Sequence, residues 1–260
     1  KMIATDIDGT IFEWGKGFSP AVMDCMARLK KAGIKVVLVT GRMHRSALHA
    51  ADELNLGTPV ISYQGALIKD CDNKTLFQKT LPVDYAKNLI KWARANKVHI
   101  NLYLDDNLFV EEDNEIIKFY TDGKHIPYTV CNFDDLEIKD VNKILAIDIK
   151  DPDRVTSWVD VLKKDYPDLY IVKSTPYFLE FSNPEASKKC AVEFLQKHWD
   201  LKKEEILTIG DQNNDIELLK AGGVKIAMGN ATEELKKHAD YITDTVFEDG
   251  FVKAIEKFLS

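Results

Sequence analysis

The stretch Lys1 to Thr10, K-M-I-A-T-D-I-D-G-T, constrains the chain most. Ile3, Ala4 and Ile7 form a short apolar run of the kind that lies as a buried parallel strand. The run ends in Asp6-Ile7-Asp8-Gly9-Thr10. Strand side chains repeat with period two, so Asp6 and Asp8 are expected to project together at the strand's carboxyl end. Open α/β sheets keep their ligand sites at that end. Two carboxylates so close repel each other unless one takes a proton or a cation sits between them. Taken alone, the same residues also describe a strand closed by an ordinary Asp-Gly turn, so the decision falls to partners further along.

After Thr10, the stretch Ile11 to Phe18, with Trp14, Gly15 and Gly17, reads as a flexible flap. Ser19-Pro20 supplies an N-cap and a proline at the first helical position. Val22, Met26 and Leu29 line that helix, and Gly33 stands at its end. Lys35 to Val39 is a second buried strand ending in Thr40-Gly41-Arg42. A helix to about Leu54 and a third strand, Val60 to Ser62, follow. Strand, helix, strand, helix, strand predicts a parallel sheet. Leu67 to Lys79 reads as a hairpin about Asp72-Asn73-Lys74. From Val83, strands (99–104, 108–111, 144–149, 170–173, 178–181) and helices (84–96, 114–120, one after Pro152) lose the regular alternation, with irregular polar chain from Tyr120 to Asp140. That predicts an inserted α+β unit. After Pro184 come a helix from Glu185 to His198 carrying Lys188, and a strand, Ile206 to Ile209, ending in Gly210-Asp211-Gln212-Asn213-Asn214-Asp215. A helix over 216–221, a strand over 224–228, a helix capped by Thr232 and a final amphipathic helix complete the chain.

Three apolar strands thus end in polar, glycine-containing turns, which in one parallel sheet share an edge. There they would gather Asp6, Asp8, Asp211 and Asp215, the Thr40 hydroxyl and the Gly41 amide. Carboxylates without a His or Cys cluster suit a hard cation such as Mg²⁺, and amides opening a helix suit a phosphate. The net charge of -7 gives no basic face for nucleic acid. No apolar run approaches the ~20 residues of a membrane span and no secretory leader is read in the sequence, which starts at Lys1. Cys25, Cys71, Cys131 and Cys190 lie far apart without a CxxC pair, which fits reduced thiols in the cytoplasm.

Asp6-Ile7-Asp8-Gly9-Thr10, Val39-Thr40-Gly41-Arg42, Ser187-Lys188 and Gly210 to Asp215 resemble, in that order, the four motifs of the haloacid dehalogenase superfamily. Ser62-Tyr63-Gln64-Gly65-Ala66 and Met228-Gly229-Asn230-Ala231 resemble its secondary signatures. The insertion is similar to the type IIB (C2) cap of the Cof-type sugar-phosphate phosphatases. The resemblance implies an α/β fold: a Rossmann-like core with a parallel sheet over 1–82 and 185–260, and an α+β cap over 83–184 that closes as a lid and sets specificity. It implies Asp6 as nucleophile and Asp8 as general acid and base. It implies phosphate held by the Ile7 and Gly41 amides, Thr40, Lys188 and Asn214. Mg²⁺ would be held by Asp6, the Asp8 main-chain carbonyl and Asp211, with Asp215 acting through water or by orienting Lys188. In related ion pumps a Thr stands in place of Asp8 and the phosphorylated state lasts longer.

Singly, each motif has an ordinary reading. Thr40-Gly41-Arg42 makes a common strand-to-helix turn, Arg42 a surface salt bridge, and Asp215 a helix cap. Lys188 sits beside Lys189, where the family usually has Gly, on a Lys-rich helix of solvated charges. Gln64 stands where many relatives carry Asn. The expected activity is Mg²⁺-dependent hydrolysis of a small-molecule phosphate monoester, a sugar phosphate or similar metabolite, by a monomer or small homo-oligomer without nucleic-acid or membrane partners. The alternatives are a phosphotransferase or mutase on the same core, and a non-catalytic phosphometabolite-binding module. The Asp6/Asp8 pair argues against the last, because binding alone needs no nucleophile beside an acid.

Overall fold

The computed structural model describes residues 1–122 and 126–259. The chain divides into two compact units, Lys1–Gln78 with Ser187–Ser260, and Lys79–Ala186. The first unit begins with β1 (Met2–Thr5), β2 (Phe12–Glu13), β3 (Gly17–Phe18), α1 (Pro20–Lys31), β4 (Lys35–Leu38), α2 (His44–Glu53), β5 (Val60–Ser62), β6 (Leu67–Lys69) and β7 (Thr75–Gln78). The second unit carries α3 (Val83–Asn96), β8 (His99–Leu104), β9 (Asn107–Val110), α4 (Glu115–Thr121), β10 (Tyr128–Val130), β11 (Val141–Ile147), α5 (Pro152–Asp165), β12 (Tyr170–Thr175) and β13 (Phe178–Ser182). The chain then returns to the first unit as α6 (Lys188–His198), β14 (Ile206–Gly210), α7 (Ile216–Ala221), β15 (Val224–Ala227), α8 (Glu233–Lys236), β16 (Tyr241–Ile242) and α9 (Gly250–Leu259).

In the first unit the strand order is β16-β15-β14-β1-β4, all parallel. β1 lies between β14 and β4, with Ile3 opposite both Leu207 and Val36. Period-two alternation divides the core between the two faces of the sheet. Ile3, Val36, Leu38, Leu207 and Ile209 pack with α1, α2 and α9. Met2, Ala4, Val37 and Ile206 pack with α6 and α7. A sheet covered on both faces requires strands that are apolar throughout, which is why these read as continuous hydrophobic runs. β5 extends the sheet only through a parallel bridge between Val39 and Ile61, and pairs antiparallel with β6 of the expected hairpin.

The second unit is a six-stranded sheet, β10-β9-β8-β11-β13-β12. Its core, with Leu89, Ile100, Leu102, Ile144, Trp158 and Phe181, lies against α3 and α5. Within this sheet, β8 and β9 pair as a hairpin, with Leu102 opposite Phe109. Tyr103 is buried, and Glu111 pairs with Arg94 at 2.5 Å. Of the stretch expected to be irregular up to Asp140, residues 123–125 lie outside the described residues, and 128–130 form β10 in parallel with β9. Pro82, expected to be the last residue of the core, is the N-cap of α3 inside the second unit. The helix expected from Glu185 starts at Lys188, because the Ser187 hydroxyl accepts the Cys190 amide and fixes the N-cap there. Among the described residues, no helix is long and apolar enough to cross a membrane.

Candidate active site

β1 stops at Thr5, although the Asp6 amide continues the pairing by donating to the Ile209 carbonyl at 3.0 Å. Beyond it the backbone folds into a tight loop. The Ile7 carbonyl accepts the amides of Thr10, Ile11 and Phe12 at 3.3, 3.0 and 2.9 Å. Asp6 and Asp8 thus lie beyond the end of the strand, in the loop that closes it. Their carboxylates have different partners. Asp6 Oδ1 accepts from Lys188 Nζ at 2.6 Å, while Asp8 takes both its hydrogen bonds from Arg42, Nε at 2.8 Å and Nη2 at 2.6 Å.

β14, beside β1, delivers the second acidic loop. Asp215 Oδ2 accepts the amides of Asp211 and Gln212, both at 3.0 Å, which closes the turn. Asp215 Oδ1 accepts from Lys188 Nζ at 2.5 Å. Asp211 is held by the Thr10 hydroxyl at 3.2 Å and the Gln212 side chain at 3.0 Å. Gly9 has φ +78°, and a Cβ there would meet Asp211 Oδ2, so the close approach of these two loops requires glycine. Asp6, Asp211 and Asp215 are all buried, and a carboxylate oxygen from each lies within 4.8 Å of the others. The side chain of Asp8 lies outside that cluster.

β4 and β5 supply the remaining wall. The Thr40 hydroxyl oxygen accepts the Arg42 amide at 3.1 Å, and the Gln64 amide donates to the Thr40 carbonyl at 3.0 Å. The Gln64 side chain lies where a Cβ on Gly41 would be, and its Oε1 accepts from Asn214 Nδ2 at 3.2 Å. Asn214 Oδ1 is buried without a hydrogen-bond partner among the described residues. Tyr63 and Gln64 both take left-handed conformations, at φ 52° and 58°, in this turn. Such strain in a buried turn persists only where its surroundings over-determine it.

Lys188 is fully buried, and burial favours its neutral form, but Asp215 and Asp6 outweigh this and hold the amine above its usual range. Burial pushes Asp6 well above the usual carboxylate range; Lys188 draws it back, while Asp215, Asp211 and Asp8 push it up. Burial, then Asp215, raises Asp211 to about 7. With all three buried carboxylates ionised, the one buried ammonium would leave two negative charges to balance, which is what raises Asp6 and Asp211 when no cation is bound. An all-oxygen donor set with that deficit fits a hard divalent cation.

Every residue expected in the site belongs to the first unit. Sequence reasoning gave no role to Thr10, which holds Asp211; it read Arg42 as a salt-bridge arginine without naming the partner, Asp8, and left a contact at Gln64 open, the residue that holds Asn214. Thr10 stood inside the first motif and Arg42 inside the second, so position was their only signal.

A family model described as haloacid dehalogenase-like hydrolase matches residues 3–255. The chain is 27% identical to the 5-amino-6-(5-phospho-D-ribitylamino)uracil phosphatase YcsE of Bacillus subtilis, over 100% of this chain and 96% of that one. It is 26% identical to the phosphatase YwpJ of the same organism, over 100% of both. Its structure matches that of TM0651 from Thermotoga maritima with a TM-score of 0.86 at 30% identity, covering 100% of this chain and 97% of that one.

Proposed function

The chain belongs to the haloacid dehalogenase-like hydrolases and is a phosphatase, and from that premise we propose that it hydrolyses small phosphate monoesters, sugar phosphates or similar metabolites, through a phosphorylated Asp6 and with Mg²⁺. The observation that carries this reading is the placing of Asp6 at the end of the central strand, against the buried Lys188 and beside Asp211.

The Asp6 carboxylate attacks phosphorus, forming an acyl-phosphate bond as the ester P–O bond breaks. Asp8 gives the departing alkoxide its proton, then takes one from the water that attacks the acyl phosphate. Inorganic phosphate leaves and Asp6 is regenerated. The Ile7 and Gly41 amides, the Thr40 hydroxyl, Lys188 and the Asn214 amide hold the phosphoryl oxygens, over which the transition-state charge spreads. Lys188 also crosses from Asp215 to Asp6, so Asp215 fixes the ammonium that faces the nucleophile. Mg²⁺ would be held by Asp6, Asp211 and the Asp8 main-chain carbonyl, with Asp215 behind them, and when bound it supplies positive charge to the phosphoryl oxygens.

The substrate class draws on YcsE, whose name places its phosphate on a ribityl chain. The test is release of p-nitrophenol and free phosphate from p-nitrophenyl phosphate. Turnover is expected with Mg²⁺ and should vanish on chelation and in Asp6→Asn. An Asp6→Asn protein with the parent rate would refute the nucleophile.

A further inference from the structure

The side chain of Arg42 lies between Asp8 and the β2–β3 hairpin. On one side its guanidinium forks onto Asp8, with Nε–Oδ2 at 2.8 Å and Nη2–Oδ1 at 2.6 Å. On the other it lies over two rings of the β2–β3 hairpin, Phe12 at 4.8 Å and Trp14 at 5.6 Å from the ring centroids. The rings support each other edge to face, Phe12 against Trp14 at 5.6 Å and against Phe18 at 5.1 Å. The Arg42 main chain is pinned independently: its amide donates to Thr40 Oγ1, and its carbonyl accepts the Tyr63 amide at 2.9 Å. The hairpin is in turn rooted at the acid, because the Gly9 amide donates to the Phe12 carbonyl at 3.0 Å and Asp8 bridges to Phe12.

We propose that Arg42 is the positioning residue for Asp8, and that the aromatic hairpin sets Arg42. The proposal rests on the reading of Asp8 as proton donor and acceptor. The terminal torsion of an aspartate is broad, so a carboxylate on a loop has no fixed plane of its own. A bidentate guanidinium fixes that plane, as a point-charge ammonium cannot. Each carboxylate oxygen retains a second lone pair, so the fork leaves room for the reacting proton. Stacking on Phe12 and Trp14 removes the freedom the long arginine side chain would otherwise have. The orientation of the acid is thereby tied to the β2–β3 hairpin.

The experiment uses the full chain with Mg²⁺ and p-nitrophenyl phosphate, reads kcat, and measures inhibition by inorganic phosphate as a gauge of the phosphate pocket. Arg42→Met is expected to lower kcat by about 10²-fold, the cost of an ångström-scale misplacement, with the inhibition constant of phosphate within a factor of about 3. Arg42→Lys should recover little, and guanidinium ion at millimolar concentration should restore part of the rate of Arg42→Ala. In an Asp8→Asn background, Arg42→Met should cost nothing more, since the two act as one unit. Phe12→Leu, a milder variant that leaves Arg42 and Asp8 in place, should lower kcat by a few-fold without moving phosphate inhibition. An Arg42→Met or Arg42→Lys protein with the parent kcat would overturn the proposal. So would phosphate inhibition that weakens in step with kcat, which would make Arg42 a phosphate ligand. A damaged Asp8→Asn beside an unharmed Arg42→Met would remove the positioning role alone; an Asp8→Asn protein with the parent kcat would remove the reading of Asp8 and this role with it.

Discussion

The acidic cluster ties stability to pH in a direction opposite to that of most carboxylates. Asp211 rises from an ordinary 3.8 to about 7 because burial and Asp215 disfavour its charge. Its pKa is therefore higher in the folded chain than in the unfolded one, and between those values the folded state binds the extra proton. The stability it contributes is complete below about pH 3.8 and is lost as pH rises to about 7. That gap corresponds to about 4 kcal/mol, of which about 2 kcal/mol falls between pH 5.5 and pH 8. At about 2 °C per kcal/mol for a chain of this length, Tm should drop by about 4 °C across that interval. Asp6 is raised for the same leading cause, burial, and adds to the effect with the same sign.

These values belong to the metal-free protein, so the assay is thermal unfolding in chelator at pH 5.5 and pH 8, with Asp211→Asn as reference to cancel the titrations that do not couple to Asp211; that of Asp6, which Asp211 raises, stays in the difference. The parent should lose stability relative to Asp211→Asn as pH rises. Mg²⁺ must displace the proton to bind, so the Tm gained on adding it should be greater at pH 8 than at pH 5.5. A chelated parent whose Tm runs parallel to that of Asp211→Asn, or a Mg²⁺ shift that is larger at pH 5.5, would refute the electrostatic account of the cluster.

Two substitutions probe the same cluster from its edges. Lys188→Met keeps the volume but strands Asp6 and Asp215 with no buried cation; breaking such a pair costs about 3–5 kcal/mol, seen as a lower Tm, and loss of the charge facing the phosphoryl group should cut kcat by at least about 10²-fold. Gly65→Ala places a Cβ at φ +102° against the Ser187 carbonyl, where α6 begins; a loss of about 1–3 kcal/mol is expected from the backbone strain alone, with kcat falling as Lys188 is displaced, and an unchanged Tm would show that the turn relaxes freely.

Chain-local signals made the frame legible and left its junctions dark. Ile3, Val36 to Val39 and Ile206 to Ile209 announce buried strands because each must satisfy two apolar faces, and the turns after them announce a shared edge. Ser19 and Thr232 each cap a helix by accepting an amide three residues on, so those helices start where their sequence says. Ser187 does the same for α6, yet Glu185 and Ala186 carry enough helix propensity to extend the expected helix across the cap. The opposite case is Asp8. It lies past the end of β1, in the loop closed by the Ile7 carbonyl, where the strand period no longer sets side-chain direction. What then decides its orientation is Arg42, 34 residues on, and what steadies Arg42 is a pair of rings that read from sequence as part of a flap. Lys188 shows the same logic. Beside Lys189 it is indistinguishable by composition from a solvated charge, and only the convergence of Asp6 and Asp215, 182 and 27 residues away, separates the buried lysine from its half-buried neighbour. Periodicity fixes which strands carry the carboxylates; which cation each carboxylate meets is settled by loops whose contacts are long-range, and that is where the chemistry is set.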